Sequence, residues 1–356
     1  MISRVAIGLA IALAIMTSSG SAKDLQLIAI DVEGGAANLY ITPGGTSLLI
    51  DTGFPAGMGE PQVLPLAEPA PSSARRIAAA ARKAGLTRID HVLVTHYHVD
   101  HVGGVAELMT LIPVGGFIDH GPNRELPVPG TTPSAIAPVI TYRNYVAAIA
   151  GKPRRQLRAG ETLNLDGLRL TAVASDGEVI AHPLRGAGAP GIGCATAADE
   201  PRDGGEENWR SLGVLLRWGQ TRILSLGDAT LRLENRLVCP TDLIGRVDLL
   251  FASNHGSNNA VSDALLATLR PRVIFVSNGP TKGADATVLA RLQALADRPA
   301  VWQLHRTIRH SVANTSPEQT ANLDASSNNN LTVMISDSGK LAVNNSRTGI
   351  AVTYHP

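Results

Sequence analysis

The sequence predicts an α/β protein of mixed (α+β) type, with parallel strands lying beneath helices. Three observations carry this. Short runs rich in Val, Ile and Leu recur between Gly- and Pro-containing turns. After an opening group of strands, these runs alternate with helical stretches. Several of them end on Asp or His. Branched apolar runs bounded by turn residues are strand signals, and strand–helix alternation is the mark of parallel pairing with helices outside.

Residues 25–32 (LQLIAIDV) and 37–43 (ANLYITP) read as strands, and 46–53 (TSLLIDTG) as a third that ends in a turn. A Pro-rich loop at 55–71 leads to a helix over 72–85, with a Ser cap and a Gly stop. A buried strand at 89–95 (IDHVLVT), a helix over 101–112 and a strand at 114–120 follow. Residues 133–151 read as a helix, and strands are expected near 154–158 and 168–174. The stretch 176–208 is long, polar and rich in Gly, Ala and Asp, and loops of that length tend to be functional. Strands 211–218 and 221–228 form a hairpin over Gly219-Gln220. Strand–helix alternation then resumes, with strands at 247–253, 271–279 and 300–305 and helices at 262–270 and 285–296. A closing hairpin is expected over 330–345. The two halves share a style, strands first and alternation after.

Composition bounds the function. The 356 residues are 44% hydrophobic, enough for a substantial core. The net charge of +1, from 31 basic and 30 acidic residues, does not indicate a broad nucleic-acid-binding face, although a local patch stays compatible with it. Residues 1–22 have the layout of a secretory signal: MISR, an apolar run at 5–16, then small residues at Gly20 and Ala22, with cleavage expected after Ala22. The apolar run is well short of the roughly 20 residues a membrane span needs, and no later run is long enough. No cysteine stands at the cleavage point, so no lipid anchor is expected there. Residues 23–356 are therefore expected as one periplasmic or secreted domain. Cys194 and Cys239 are the only cysteines, and an oxidising compartment favours a disulfide between them over two buried thiols.

The chemistry concentrates in THYHVDHVGG, residues 95–104. Side chains two apart on an extended segment point the same way, so His96 and His98 can face one point just past strand 89–95. Asp100 and His101 fall at the mouth of the next helix and can face a second point nearby. Imidazole and carboxylate are ligand types that suit Zn²⁺. Gly103 and Gly104 allow the helix to start close to its neighbours. SLGD places Asp228 at another strand end and FASNHGS places His255 at a third. In open α/β sheets such ends gather at one edge.

These motifs resemble the metallo-β-lactamase superfamily: HYHVDH matches its HxHxDH, with GD after a later strand and a final HG. The resemblance spans roughly 25–310 and is nearest to exported relatives of the hydrolase domain of ComEC-type DNA-uptake proteins, carried by ENWRSLGVLLRWGQTRILSLGDA and NHGSNNAVSDALLATLRPRVIFVSNG. It implies a four-layer αββα sandwich and two divalent metal ions, with zinc expected. His96 and His98 would bind the first metal; Asp100, His101 and His255 the second; Asp228 would bridge. It also implies a hydrolase using a metal-bridging hydroxide, with Asp100 orienting that hydroxide. A phosphoester or phosphodiester small molecule is the leading substrate class, and lactam or lactone hydrolysis the alternative.

The superfamily's third histidine for the first metal is missing, since GGEENWRS stands there; Asn208, His120 or His305 is expected to reach the site as an additional ligand or substrate contact, and His182 is a weaker candidate. Asn254 and GPTKGAD stand where ComEC-like chains carry a histidine and Tyr-Gly-His-Pro. Asp51 matches a position that supports the metal loop from behind, as ligating histidines need partners for their other nitrogen. Two rival classes are a non-catalytic metal-binding module and a di-iron redox protein. The latter usually carries Glu where His98 stands.

Overall fold

The computed structural model describes residues 24–59, 70–127, 129–194, 206–309 and 313–356. The expected leader, 1–22, lies outside them.

The first sheet begins with β1 (Leu25–Ala29), β2 (Asn38–Ile41) and β3 (Ser47–Ile50), paired antiparallel in sequence order. It continues in parallel through β4 (Ile89–Leu93), β5 (Val114–Asp119) and β6 (Arg154–Gln156). Between these lie helices α1 (Ser73–Lys83), α2 (Val99–Val102), α3 (Val105–Leu111) and α4 (Pro138–Ala148). The second sheet repeats the plan. Its antiparallel part is β7 (Thr162–Leu165), β8 (Leu168–Ser175), with the short β9 (Glu178–Val179) on its edge, then β10 (Gly213–Trp218) and β11 (Thr221–Ser225). Its parallel part is β12 (Leu249–Phe251), β13 (Val273–Val276), β14 (Ala300–His305) and β15 (Thr320–Asn322). Helices α5 (Glu206–Trp209), α6 (Leu231–Val238), α7 (Asp263–Leu269) and α8 (Ala286–Gln293) accompany it. The chain finally returns to the first sheet, where β16 (Leu331–Ile335) pairs with β1 and leads to β17 (Leu341–Asn345) and β18 (Ala351–Tyr354).

Strand alternation divides the apolar residues between two faces of each sheet. Leu48, Ile50 and Leu93 meet Leu216, Ile223, Phe251, Phe275 and Trp302 in a core between the sheets. Leu49, Val92 and Val94 point the other way, onto Ile77, Ala81, Leu108 and Tyr145 of the first helical layer. Leu224, Leu250 and Ile274 likewise meet Leu233, Leu265, Leu269 and Leu289 of the second. The result is the αββα sandwich that the resemblance implies.

The differences are local. The expected helix over 101–112 is interrupted after Val102, and α3 restarts at Val105. The interruption keeps the backbone tight against its neighbours: a Cβ on Gly104 would stand 2.2 Å from the Thr52 carbonyl oxygen. The helix expected over 133–151 starts only at Pro138, whose fixed φ suits a first turn. Helix α6 and strands β7, β15 and β18 add to the expected set. The long polar stretch contains β9 and ends in α5, with 195–205 outside the described residues.

Candidate metal centre

The ends of β4, β11 and β12 are held by backbone bonds, one from the residue before β10 to the loop after β4 and one between the loops after β12 and β11. Leu212 N donates to the Thr95 carbonyl at 2.8 Å, and Asn254 N to that of Gly227 at 3.1 Å. Past β4, His98 is extended (φ −67°, ψ 149°), and α2 starts immediately after it, placing Asp100 in its first turn. After β12, Asn254 (φ 46°) and His255 (φ 56°) both adopt the left-handed region. Such backbone costs on the order of 1–3 kcal/mol at a non-Gly residue and persists where the surroundings enforce it. Here it turns the His255 ring into the edge.

The six predicted ligands converge there as two groups that share Asp228. His96, His98 and Asp228 form one; Asp100, His101, Asp228 and His255 form the other. The ligand atoms within each group lie within 4.8 Å of one another. In the first, His96 Nε2 is 3.0 Å from His98 Nδ1 and 3.9 Å from Asp228 Oδ2. In the second, His101 Nε2 is 3.1 Å from Asp228 Oδ1, 3.3 Å from Asp100 Oδ2 and 3.1 Å from His255 Nε2. Each carboxylate oxygen of Asp228 thus faces a different group. All are buried except His98, which is partly open to solvent.

The outer nitrogens are engaged. His101 Nδ1 is 2.8 Å from Asp51 Oδ2, and His255 Nδ1 is 2.9 Å from the Ser277 carbonyl oxygen. Both acceptors require Nδ1–H, which turns the Nε2 lone pair of a neutral ring inward. Two lone pairs 3.1 Å apart, with two carboxylates beside them, repel unless a positive charge lies among them. The donor set therefore fits a divalent cation. Thr95 Oγ, itself 2.8 Å from Asp51 Oδ2, stands 3.1 Å from His96 Nδ1. His98 turns Nε2 outward, 3.9 Å from Glu125 Oε2.

Electrostatics follow the same division. Burial pushes the Asp100 carboxyl up, but Lys282 and His101 outweigh it and hold it well below the usual range. Asp228 is likewise held low, burial being outweighed by His101 and His255. Burial opposes charge on His101, yet Asp228, Asp100 and Asp51 raise its proton affinity well above the ordinary imidazole value. His255 is raised, against burial, chiefly by Asp228. Burial and neighbouring His101 drive His96 well below it. The second group attracts positive charge, while the first presents a neutral imidazole.

Of the other candidates, His120 and His305 belong to neither group. His120 is buried, with Nε2 3.1 Å from Glu207 Oε2, and Glu207 also accepts from the backbone N–H groups of Tyr97 and Arg124. This anchors the segment carrying His96 and His98 from behind. Asn208 is buried with no hydrogen-bond partner on Oδ1. His305 does not line a rim. Its Nε2 is 2.7 Å from Asp31 Oδ1 and 3.7 Å from Glu33 Oε2, and Arg76 holds the outer oxygens of both acids at 2.6 and 2.5 Å. A strand-end histidine points toward whatever charge its loop meets, and here two acids after β1 claim it. His182 is exposed. Asp51 supports His101 as described. Cys194 and Cys239 form a disulfide, Cα–Cα 5.6 Å, tying 191–194 to the end of α6. Sequence reasoning missed Glu125, Glu207, Thr95, Ser277 and Lys282. Thr95, Glu207, Ser277 and Lys282 lay in stretches already quoted for the site or the resemblance, without a role being read for them; Glu125 lay in none.

Residues 32–179 match the family model of the metallo-beta-lactamase superfamily, which places that segment in the superfamily. The match contains His96, His98, Asp100 and His101; Asp228 and His255 lie beyond it and are joined to it by the geometry above. The chain is also similar to Recombination protein 2 of Haemophilus influenzae, 25% identical over 273 residues, covering 75% of this chain and 26% of that protein. The chain thus spans about a quarter of that relative's length. Similar solved structures include a metal-dependent hydrolase of the β-lactamase superfamily, at 12% identity, TM-score 0.43, covering 79% of this chain and 95% of that one. Another is a diiron β-hydroxylase from Streptomyces venezuelae, at 17% identity, TM-score 0.38, covering 72% and 45%. Among the described residues no helix is long and apolar enough to cross a membrane.

Proposed function

We propose that the protein is an exported, binuclear zinc hydrolase acting on phosphoester or phosphodiester bonds. The observation that carries this is the pair of donor groups sharing Asp228 at one edge of the sandwich. Histidine-rich sets with carboxylates suit Zn²⁺. The disulfide and the leader-like first 22 residues support export.

When bound, a pair of divalent cations supplies a water nucleophile at neutral pH and stabilises charge on the substrate oxygen. The chain's own residues prepare for this. Asp51 and the Ser277 carbonyl fix the His101 and His255 rings so that Nε2 faces inward. Asp228 offers one oxygen to each group. Asp100, reached from the open side by Lys282, is placed to hold a proton of the attacking water and so orient it.

The test is a panel of bis-p-nitrophenyl phosphate, nitrocefin and a lactone, presented to zinc-loaded protein. Turnover of the phosphodiester, abolished by Asp100→Ala with the fold intact, is expected. Turnover of nitrocefin or the lactone alone moves the assignment to acyl chemistry. A D100A protein that only loses stability, with no substrate turned over by wild type, makes the centre structural.

A further inference from the structure

Lys282 has no place in metal binding, yet its ammonium group sits at the centre. Its Nζ contacts Asp100 Oδ2, and its side chain is about one-third exposed, at 32%. The residue is positioned, not free to wander. Gly279 N donates to the Lys282 carbonyl at 2.9 Å, closing the turn that carries it. Two and three residues further on, the chain is bonded to the His255 loop, Ala284 N to the His255 carbonyl at 2.8 Å and Asp285 N to that of Gly256 at 2.9 Å. The ammonium stands 5.4 Å from the centroid of the Phe54 ring, which offers it a weak cation–π contact. The loop that presents His255 to the second group therefore also presents Lys282 to its open side.

Charge decides what such a residue does. Two divalent cations among two carboxylates and four imidazoles leave an excess of positive charge. A further ammonium beside Asp100 competes with the cation for that oxygen and weakens metal binding. A cation there is useful only if negative charge arrives with the substrate. Resting on the hydrolase reading above, the geometry points to Lys282 as the residue that receives an anionic oxygen of the substrate. It shifts from Asp100 Oδ2 to a non-bridging oxygen of a phosphodiester monoanion. It thereby selects charged phosphoesters over neutral esters and lactones. The ammonium is a point donor with three N–H groups, so it makes this shift without leaving its turn.

Inorganic phosphate is the probe, titrated calorimetrically into zinc-loaded wild type, Lys282→Gln and Lys282→Arg, with zinc content and zinc affinity measured on each. We expect K282Q to keep its zinc with equal or tighter affinity and to bind phosphate at least tenfold more weakly, with K282R intermediate. On bis-p-nitrophenyl phosphate the loss should fall mainly on KM. The inference is overturned if K282Q holds zinc and binds phosphate as wild type does, if wild type binds no phosphate, or if K282Q loses zinc. These readouts need no turnover. An inactive wild type that binds phosphate through Lys282 would sink the hydrolase reading and leave the anion site standing.

Discussion

Asp51→Asn tests how the second donor group is built. Asp51 is 1% exposed and adopts φ 62° at the end of β3. Its carboxylate accepts from three groups: Thr95 N, Thr95 Oγ and His101 Nδ1, each at 2.8 Å. Asparagine keeps the shape but has one acceptor oxygen. If that oxygen stays with Thr95 N, the amide NH₂ faces the His101 Nδ1–H, donor against donor. The ring then moves its proton to Nε2, the atom meant for the metal, or rotates out of place. Either way His101 is lost as an oriented ligand. Removing such a supporting partner typically costs 10–100-fold in metal affinity, or about 1.4–2.8 kcal/mol. The assay is competition for zinc against a chromophoric chelator, with stability of the metal-free proteins measured in parallel. D51N should bind the equivalent held by the second group 10–100-fold more weakly. A folded D51N that binds every equivalent as tightly as wild type would refute the reasoning.

Other expectations follow from separate parts of the molecule. In the cluster of Asp31, Glu33, Arg76 and His305, burial and Asp31 push Glu33 up to about 7, and Asp31 keeps His305 protonated above its ordinary value against burial. Both groups bind more protons folded than unfolded, so their contribution is full at acid pH and is lost as pH rises, for Glu33 between 4.5 and about 7. Glu33→Gln should flatten the pH dependence of the melting temperature across that window, by up to about 3 kcal/mol at roughly 1.4 kcal/mol per pH unit; an unchanged slope would count against the cluster. Replacing both Cys194 and Cys239, 45 residues apart, by Ala should cost roughly 4 kcal/mol in denaturant unfolding, as chain entropy predicts for that loop. Chelation should lower the melting temperature of zinc-loaded protein, by the equivalent of about 2.7 kcal/mol where free zinc stood at a hundred times the dissociation constant. No shift on chelation would mean the convergent His and Asp side chains hold no ion.

The six residues at the centre were legible because their placement follows from local rules. Four lie in one stretch of six residues, and two end strands that any parallel sheet brings to the same edge. What surrounds them obeys no such rule. Ser277 contributes a carbonyl oxygen, a group every residue has, so nothing in its side chain signals its role to His255. Glu207 supports the His96 segment across 110 residues through the Tyr97 N–H, and only the meeting of α5 with the β4 loop reveals it. His305 shows the opposite error. Its position at the end of β14 does bring it to the right edge, but a strand end fixes where a residue is and not what it faces. Two acids following β1, already half-neutralised by Arg76, take the imidazole before the centre can. Helix α6 buries Leu233 and Leu237, four apart, with Arg232 and Arg236 half-buried on another side, a helical spacing that the neighbouring GD motif overshadowed. Ligand identity is thus written in spacing, whereas the hydrogen bonds that aim each ligand are written in the packing of the two sheets. For that reason Lys282, whose loop shares backbone bonds with His255 but no motif, becomes visible only once the sandwich has closed.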